Sequence, residues 1–166
     1  MVSMLVQWLI FLHILSAITF FLAHGTSAAM IFKLRTETDI LRIRTMLDLS
    51  DSTLEIMIFS FLAMGVTGLA LPFFLHIWDK VWIWLSIILM AFVFTWMIWM
   101  SERRYKILRK LVGLPYRQGS KEYPAETPAD PQKIVSHLKS INMTSILTVG
   151  YIIPAIVLWL MVFKPF

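Results

Sequence analysis

Apolar residues run almost unbroken through four stretches of this chain, with the polar residues gathered between them. The stretches are about Met4 to Phe32, Leu54 to Ile77, Val81 to Met100 and Thr144 to Phe163. Crossing about 30 Å of hydrocarbon takes about 20 helical residues, so each stretch predicts a membrane-spanning helix. Loops at residues 33–53 and 101–143 join spans one to two and three to four. A very short turn at Asp79–Lys80 joins spans two and three, which predicts a tight antiparallel pair. The fold class is all-α, a four-helix integral membrane bundle over residues 1–166 with amphipathic segments in its loops.

The first stretch has no Lys or Arg ahead of Lys33, and its apolar run is longer than a signal-peptide core, so it reads as a span. Thr36 to Ser52 alternates charge with Ile40, Leu41, Ile43, Met46, Leu47 and Leu49, the pattern of a short interfacial helix. Ser52 with Glu55 reads as a capping box that starts span two. Pro115, Pro124 and Pro128 predict irregular chain from Gly113 to Ala129. Asp130 then Pro131 is a helix start, and Ile134, Leu138 and Ile141 give the helix that follows an apolar face. Pro72 and Pro154 lie inside spans two and four and predict kinks.

Charge fixes an expected orientation. Thirteen of the fifteen Lys and Arg residues lie in the two long loops, and only Lys80 and Lys164 lie on the other side. The positive-inside bias then predicts cytoplasmic loops and outward-facing termini, N-out and C-out. Trp8, Trp78, Trp82 and Trp159 fall near one interface, and Trp96, Trp99 and Tyr105 near the other, as an aromatic belt would. The net charge of +5 follows from this loop bias, and no nucleic-acid partner is implied. With 58% hydrophobic residues and a mean hydropathy of +0.75, the chain's expected solvent is the lipid bilayer. There are no cysteines, which excludes disulfides, zinc–thiolate sites, iron–sulfur clusters and c-type haem attachment.

The candidate chemistry lies in histidine. Ionisable side chains are costly within hydrocarbon and mark functional positions there. His13 and His24 both lie in span one. Eleven helical steps bring a residue back to within about 20° of its starting face and about 16 Å along the axis. Ser16, Ala17, Phe20 and Ser27 share that face, and small residues there allow close approach of a helix or a flat cofactor. A b-type haem held by histidine nitrogen fits such a face. His13 is the first candidate ligand. His76, near the outer end of span two, is a candidate second ligand at a similar height, and His24 is another. His137, in the amphipathic helix, is the weaker partner for His24. The alternative for each ring is a plain hydrogen bond to Ser or Thr of a neighbouring span, such as Thr67, Thr95 or Thr148.

Met57 with Met64, and Met90 with Met97, form thioether stripes that would suit Cu(I), although methionine is also an ordinary apolar filler. Gly65, Gly68 and Ala70 supply close-packing positions in span two. No phosphate-binding loop, nucleophile elbow or HExxH motif is present. No Asp or Glu is expected to be buried in any span, since Glu55 stands at the very start of span two, which argues against an ion-coupled transporter with a carboxylate relay.

The opening segment WLIFLHILSAITFFLAHGTSAAMIFKL resembles the first span of the CopD-like superfamily of small bacterial membrane proteins, and the ending WLMVFKPF resembles their close. That superfamily includes copper-resistance CopD domains, families of unknown function and HemJ-type protoporphyrinogen oxidases. The resemblance covers spans one and four. It implies a four-helix bundle in the bacterial inner membrane and a haem b, with His13 the best-matching position. The expected function is therefore a haem-b-binding membrane protein in electron transfer, an accessory subunit of a larger respiratory or photosynthetic complex that exchanges with quinol. The alternatives are a cofactor-free structural subunit that packs against a complex or binds pigment or lipid, a porphyrinogen oxidase-like enzyme, and a copper transporter.

Overall fold

A computed structural model of the chain describes residues 3–119 and 121–166. The elements run α1 (Met4–Leu34), α2 (Ile40–Ser52), α3 (Leu54–Leu75), α4 (Val81–Met100), a π turn at Ser101–Tyr105, and α5 (Lys106–Leu111). A hairpin of β1 (Tyr116–Gln118) and β2 (Lys121–Tyr123) follows, then α6 (Pro131–Lys139), α7 (Met143–Leu147), a second π turn at Thr148–Ile152, and α8 (Ile153–Phe163). Four rods are long and apolar enough to cross a membrane: Met4–Leu34, Ile40–Leu75, Val81–Leu111 and Met143–Phe163. Large apolar side chains such as Leu22, Phe59, Val66 and Ile88 are exposed on their outer faces, as lipid-facing positions are.

The helix start expected at Asp130 holds. Asp130 caps α6 by accepting from the Gln132 amide at 2.7 Å, with Pro131 at the first helical position. Asp39 caps α2 in the same way through Leu41. The capping box at Ser52 does not form. Ser52 lies in the last turn of α2, and its hydroxyl donates back to the Leu49 carbonyl at 2.7 Å. Thr53 alone joins α2 to α3, with near-helical φ −85° and ψ −11°, so no free α3 N-terminus is left for Ser52 to cap. The segment expected to be irregular contains the β1–β2 hairpin, in register Tyr116–Tyr123, Arg117–Glu122 and Gln118–Lys121. Gly113 and Gly119 adopt positive φ on either side of β1, a conformation without steric cost only for glycine.

The pairing of spans differs from expectation. α1 packs along α3, and α4 packs along α8, whereas α3 and α4 diverge below their short turn despite being consecutive. α3 and α4 meet through the Phe61–Phe94 stack, with ring centroids 4.2 Å apart. Short turns favour neighbours only when the facing helices also fit, and in lipid the fit comes from small residues and polar contacts rather than from hydrophobicity.

On the face that carries the two long loops, a compact cap closes the bundle. Its core is Leu34, Ile43, Leu47, Leu108, Val112, Ile134, Leu138, Ile141 and Ile146, drawn from α1, α2, α5, α6, α7 and the segments beside them. Arg109 is buried within this cap. It donates to the Pro115 carbonyl at 2.8 Å and forms an ion pair with Asp48 at 3.1 Å, which ties α5 to α2. Tyr105 donates to the Leu47 carbonyl beside it.

Candidate functional site: two histidine–glycine contacts and a cavity

Each of the two span-one histidines reaches a different neighbour, and each meets the same kind of backbone. His13 Nδ1 lies 3.0 Å from the Met64 carbonyl and 3.1 Å from Thr67 Oγ1, both on α3. His24 Nε2 lies 3.0 Å from the Gly150 carbonyl in span four. A carbonyl only accepts, so the proton sits on Nδ1 of His13 and on Nε2 of His24. In the neutral rings that leaves one lone pair each, on Nε2 of His13 and on Nδ1 of His24.

Both rings lie against glycine. A Cβ on Gly68 would come within 2.9 Å of His13 Cε1, and one on Gly150 within 3.1 Å of His24 Nε2. Each of these glycines stands four residues ahead of a proline, in Gly68-Leu-Ala-Leu-Pro72 and Gly150-Tyr-Ile-Ile-Pro154. A proline has no N–H, so the α-helical donor to the carbonyl four residues back is missing. At Gly150 the chain also widens into a π turn, and His24 supplies a hydrogen to the carbonyl that lost its α-helical donor. Small residue, missing N–H and docked imidazole thus recur at two heights of the bundle.

The His24 ring belongs to a wider aromatic arrangement. His24 stacks on Phe20 with 3° between their planes, Phe20 meets Phe61 at 5.6 Å, and Phe61 stacks on Phe94. Tyr151 lies 6.1 Å from His24 on the other side. This row crosses all four spans near mid-depth.

Below the row, toward the loop face, lies a cavity of about 350 Å³ between the α1–α3 and α4–α8 pairs. That volume lies in the range of small-molecule sites. Its walls are apolar, with Ala28, Met57, Phe94, Met97 and Ile146, and its loop-side end is polar, with Ser27, Ser50, Asp51, Arg104 and Tyr105. Ser27 and Ser50 join at 3.1 Å, and Ser27 also meets Thr53 at 2.9 Å. The cavity was not visible in sequence. Its only sequence signal was the cluster of small and hydroxyl residues at Ser27, Ala28 and Ser50.

The other candidate residues sit apart. His76 ends α3 in the left-handed region, φ 54°, exposed and nine residues beyond Thr67, about 13 Å along the axis. His137 Nε2 donates to the Arg104 carbonyl at 3.2 Å in the cap. The structure brings neither His76 nor His24 to the His13 ring. A haem held between two of these side chains needs two lone pairs converging on one iron, and this packing offers no such pair. His13 and His24 each have one ring N–H held by a carbonyl and the other nitrogen left bare, the arrangement found in metal-ligating histidines. Among the described residues no cluster of three or more His, Cys, Asp or Glu forms a metal site. Comparison with family models, with curated proteins and with solved structures gives no match to this chain.

Proposed function

We propose that this protein is a multi-pass membrane protein that holds one amphipathic, lipid-like molecule, lipid or pigment, in the cavity between its two helix pairs. The observation that carries the reading is the polarity of that cavity: apolar walls under the aromatic row and a polar end at the loop face. A chain lying along Met57 and Met97 with its head at Ser27 and Ser50 satisfies both ends. Methionine walls adapt to irregular apolar ligands. The positive-inside bias supports placing the polar end at the cytoplasmic surface of a bacterial inner membrane. Such a subunit would present its exposed apolar faces to lipid or to a larger membrane complex.

The test is stoichiometric. Protein purified in mild detergent is expected to retain about one lipid-like molecule per chain in native mass spectrometry. Ala28→Phe fills the cavity from α1 and is expected to release it. Absence of such a molecule, or equal retention by Ala28→Phe, would sink the proposal.

A second reading is supported by one observation, the bare Nε2 of His13. In it, His13 would hold a haem b in an electron-transfer subunit, His13 being the position that best matches the CopD-like resemblance. Haem would supply one-electron chemistry, and the Met64 carbonyl and Thr67 would fix the ring that holds it. Haem-replete expression should then yield a reduced-minus-oxidised b-type band that His13→Ala abolishes and His24→Ala retains. A featureless visible spectrum would eliminate this reading and a pigment occupant, and would leave the first reading with a lipid in the cavity.

A further inference from the structure

An apolar chain gains little by leaving the bilayer for an apolar cavity, because lipid tails are as apolar as the cavity wall. Any preference for one occupant must come from its head group. The charged residues around the polar end therefore decide what is bound.

Three charged side chains border the cavity: Asp51, Glu102 and Arg104. Glu102 is paired to Lys106 at 2.6 Å, and Asp51 faces Arg109 at 3.9 Å. Arg104 differs. Its guanidinium donates to Ser140 Oγ at 3.3 Å, and among the described residues it has no carboxylate within ion-pair distance. Its backbone is held from the other side, since the Arg104 carbonyl accepts from His137 of α6. The cation without a counter-charge thus stands at the polar end of an apolar cavity, on a backbone fixed by the cap.

Building on the amphiphile reading above, we infer that the occupant carries an anionic head group that pairs with Arg104, its apolar chain running up toward Phe94. The shared chemistry is one negative oxyanion on an acyl chain, carboxylate or phosphate. Arg favours both because its planar fork donates two parallel hydrogen bonds. Basic pockets between membrane helices commonly take such heads.

Trp96 borders the same cavity and reports on it. In a neutral maltoside detergent, tryptophan quenching is measured with dibromostearate, dibromostearyl alcohol and a dibrominated phosphatidylglycerol, and Trp96→Phe defines the part that Trp96 contributes. The Trp96-dependent quenching by one of the two anions should appear at about tenfold lower concentration than by the alcohol, the value of one charge-assisted pair. A lead for the stearate identifies a carboxylate head, and a lead for the phospholipid a phosphate head. Arg104→Met should bring anion and alcohol within about twofold of each other. Ser140→Ala removes the hydrogen-bond partner but keeps the charge, and should keep the preference. Equal quenching by anion and alcohol in the unaltered protein overturns the anionic head and leaves the amphiphile reading standing. No Trp96-dependent quenching by any of the three overturns both.

Discussion

His24 Nε2 sits 3.0 Å from the carbonyl oxygen of Gly150, whose α-helical donor is deleted by Pro154 four residues on. A side chain of span one therefore completes the backbone of span four. Interhelical hydrogen bonds in membranes contribute about 0.6–1.7 kcal/mol. His24→Ala is expected to cost about 1–2 kcal/mol in detergent unfolding, the bond together with the Phe20 stack. Pro154→Ala restores an N–H to span four, and the cost of His24→Ala should be smaller in that background by about 0.5–1 kcal/mol. Equal costs in both backgrounds would contradict the role assigned to the carbonyl.

Gly68 is the matching position under His13. Gly68→Ala drives a methyl group to within 2.9 Å of the ring, and overpacking of this kind costs about 1–3 kcal/mol. The double variant His13→Ala/Gly68→Ala removes the obstruction. It should be more stable than the sum of the two single changes implies, read from the same unfolding curves. Strict additivity would mean that the ring and the glycine are not in contact.

Arg109 should be the most sensitive charged position outside the spans' apolar runs. It is 8% exposed and serves the Pro115 carbonyl, Asp48 and Asp51. Removing one member of a buried pair costs about 3–5 kcal/mol, and partial exposure of both carboxylates brings the expectation for Arg109→Ala to about 2–3 kcal/mol. Arg109→Lys keeps the charge but loses the forked geometry and should recover only part of this. An effect below about 0.5 kcal/mol, the size of an ordinary surface change, would show that the cap does not depend on it.

The hairpin strap should respond to pH at both ends of the scale. The Tyr116 hydroxyl donates to Glu126 at 2.8 Å, with the Lys110 ammonium 3.1 Å away, and these hold the Glu126 carboxyl below its ordinary 4.5. A lowered carboxyl contributes stability that is fully present above pH 4.5 and lost as pH falls through the lowered value. The same contact to Glu126 raises the Tyr116 hydroxyl above 10.0, so its share is present below pH 10.0 and lost as pH rises through the raised value. The ring signals of Tyr116 and Tyr123, which stack at 5.3 Å, should shift in NMR at both limits. Glu126→Gln should remove the acid-side change. An unaltered acid transition in Glu126→Gln would assign it elsewhere.

The existence of four helices was legible in sequence because apolar length alone sets it. Their pairing was not. Spans that are apolar on every side carry no stripe to show which face meets which neighbour, so the short Asp79–Lys80 turn suggested a pairing of α3 with α4 that the structure replaces with α1–α3 and α4–α8. His13 and His24 were visible as costly residues in hydrocarbon. Thr67, which meets His13, was among the hydroxyl partners expected for these rings, whereas the Gly150 carbonyl was visible only through its spacing to Pro154, which reads as packing and kink until a ring is docked on it. Asp130 capped α6 as expected because a cap is a local matter. Ser52 did not cap α3, because α2 runs into it with only Thr53 between.

The loop-side cap draws together the ends of α1, α2, α5, α6 and α7, and at the opposite face Ile77 and Trp78, just beyond α3, pack on a second core of Trp82, Ile83 and Leu160 from α4 and α8. Mechanically this is a frame clamped at both ends, with the two helix pairs least tied to each other between the clamps. A bowing of α1–α3 away from α4–α8 would separate Phe61 from Phe94 before it disturbed Leu47 or Leu108. The aromatic row is then the latch that such a motion would release, and the cavity beneath it the chamber whose roof would open.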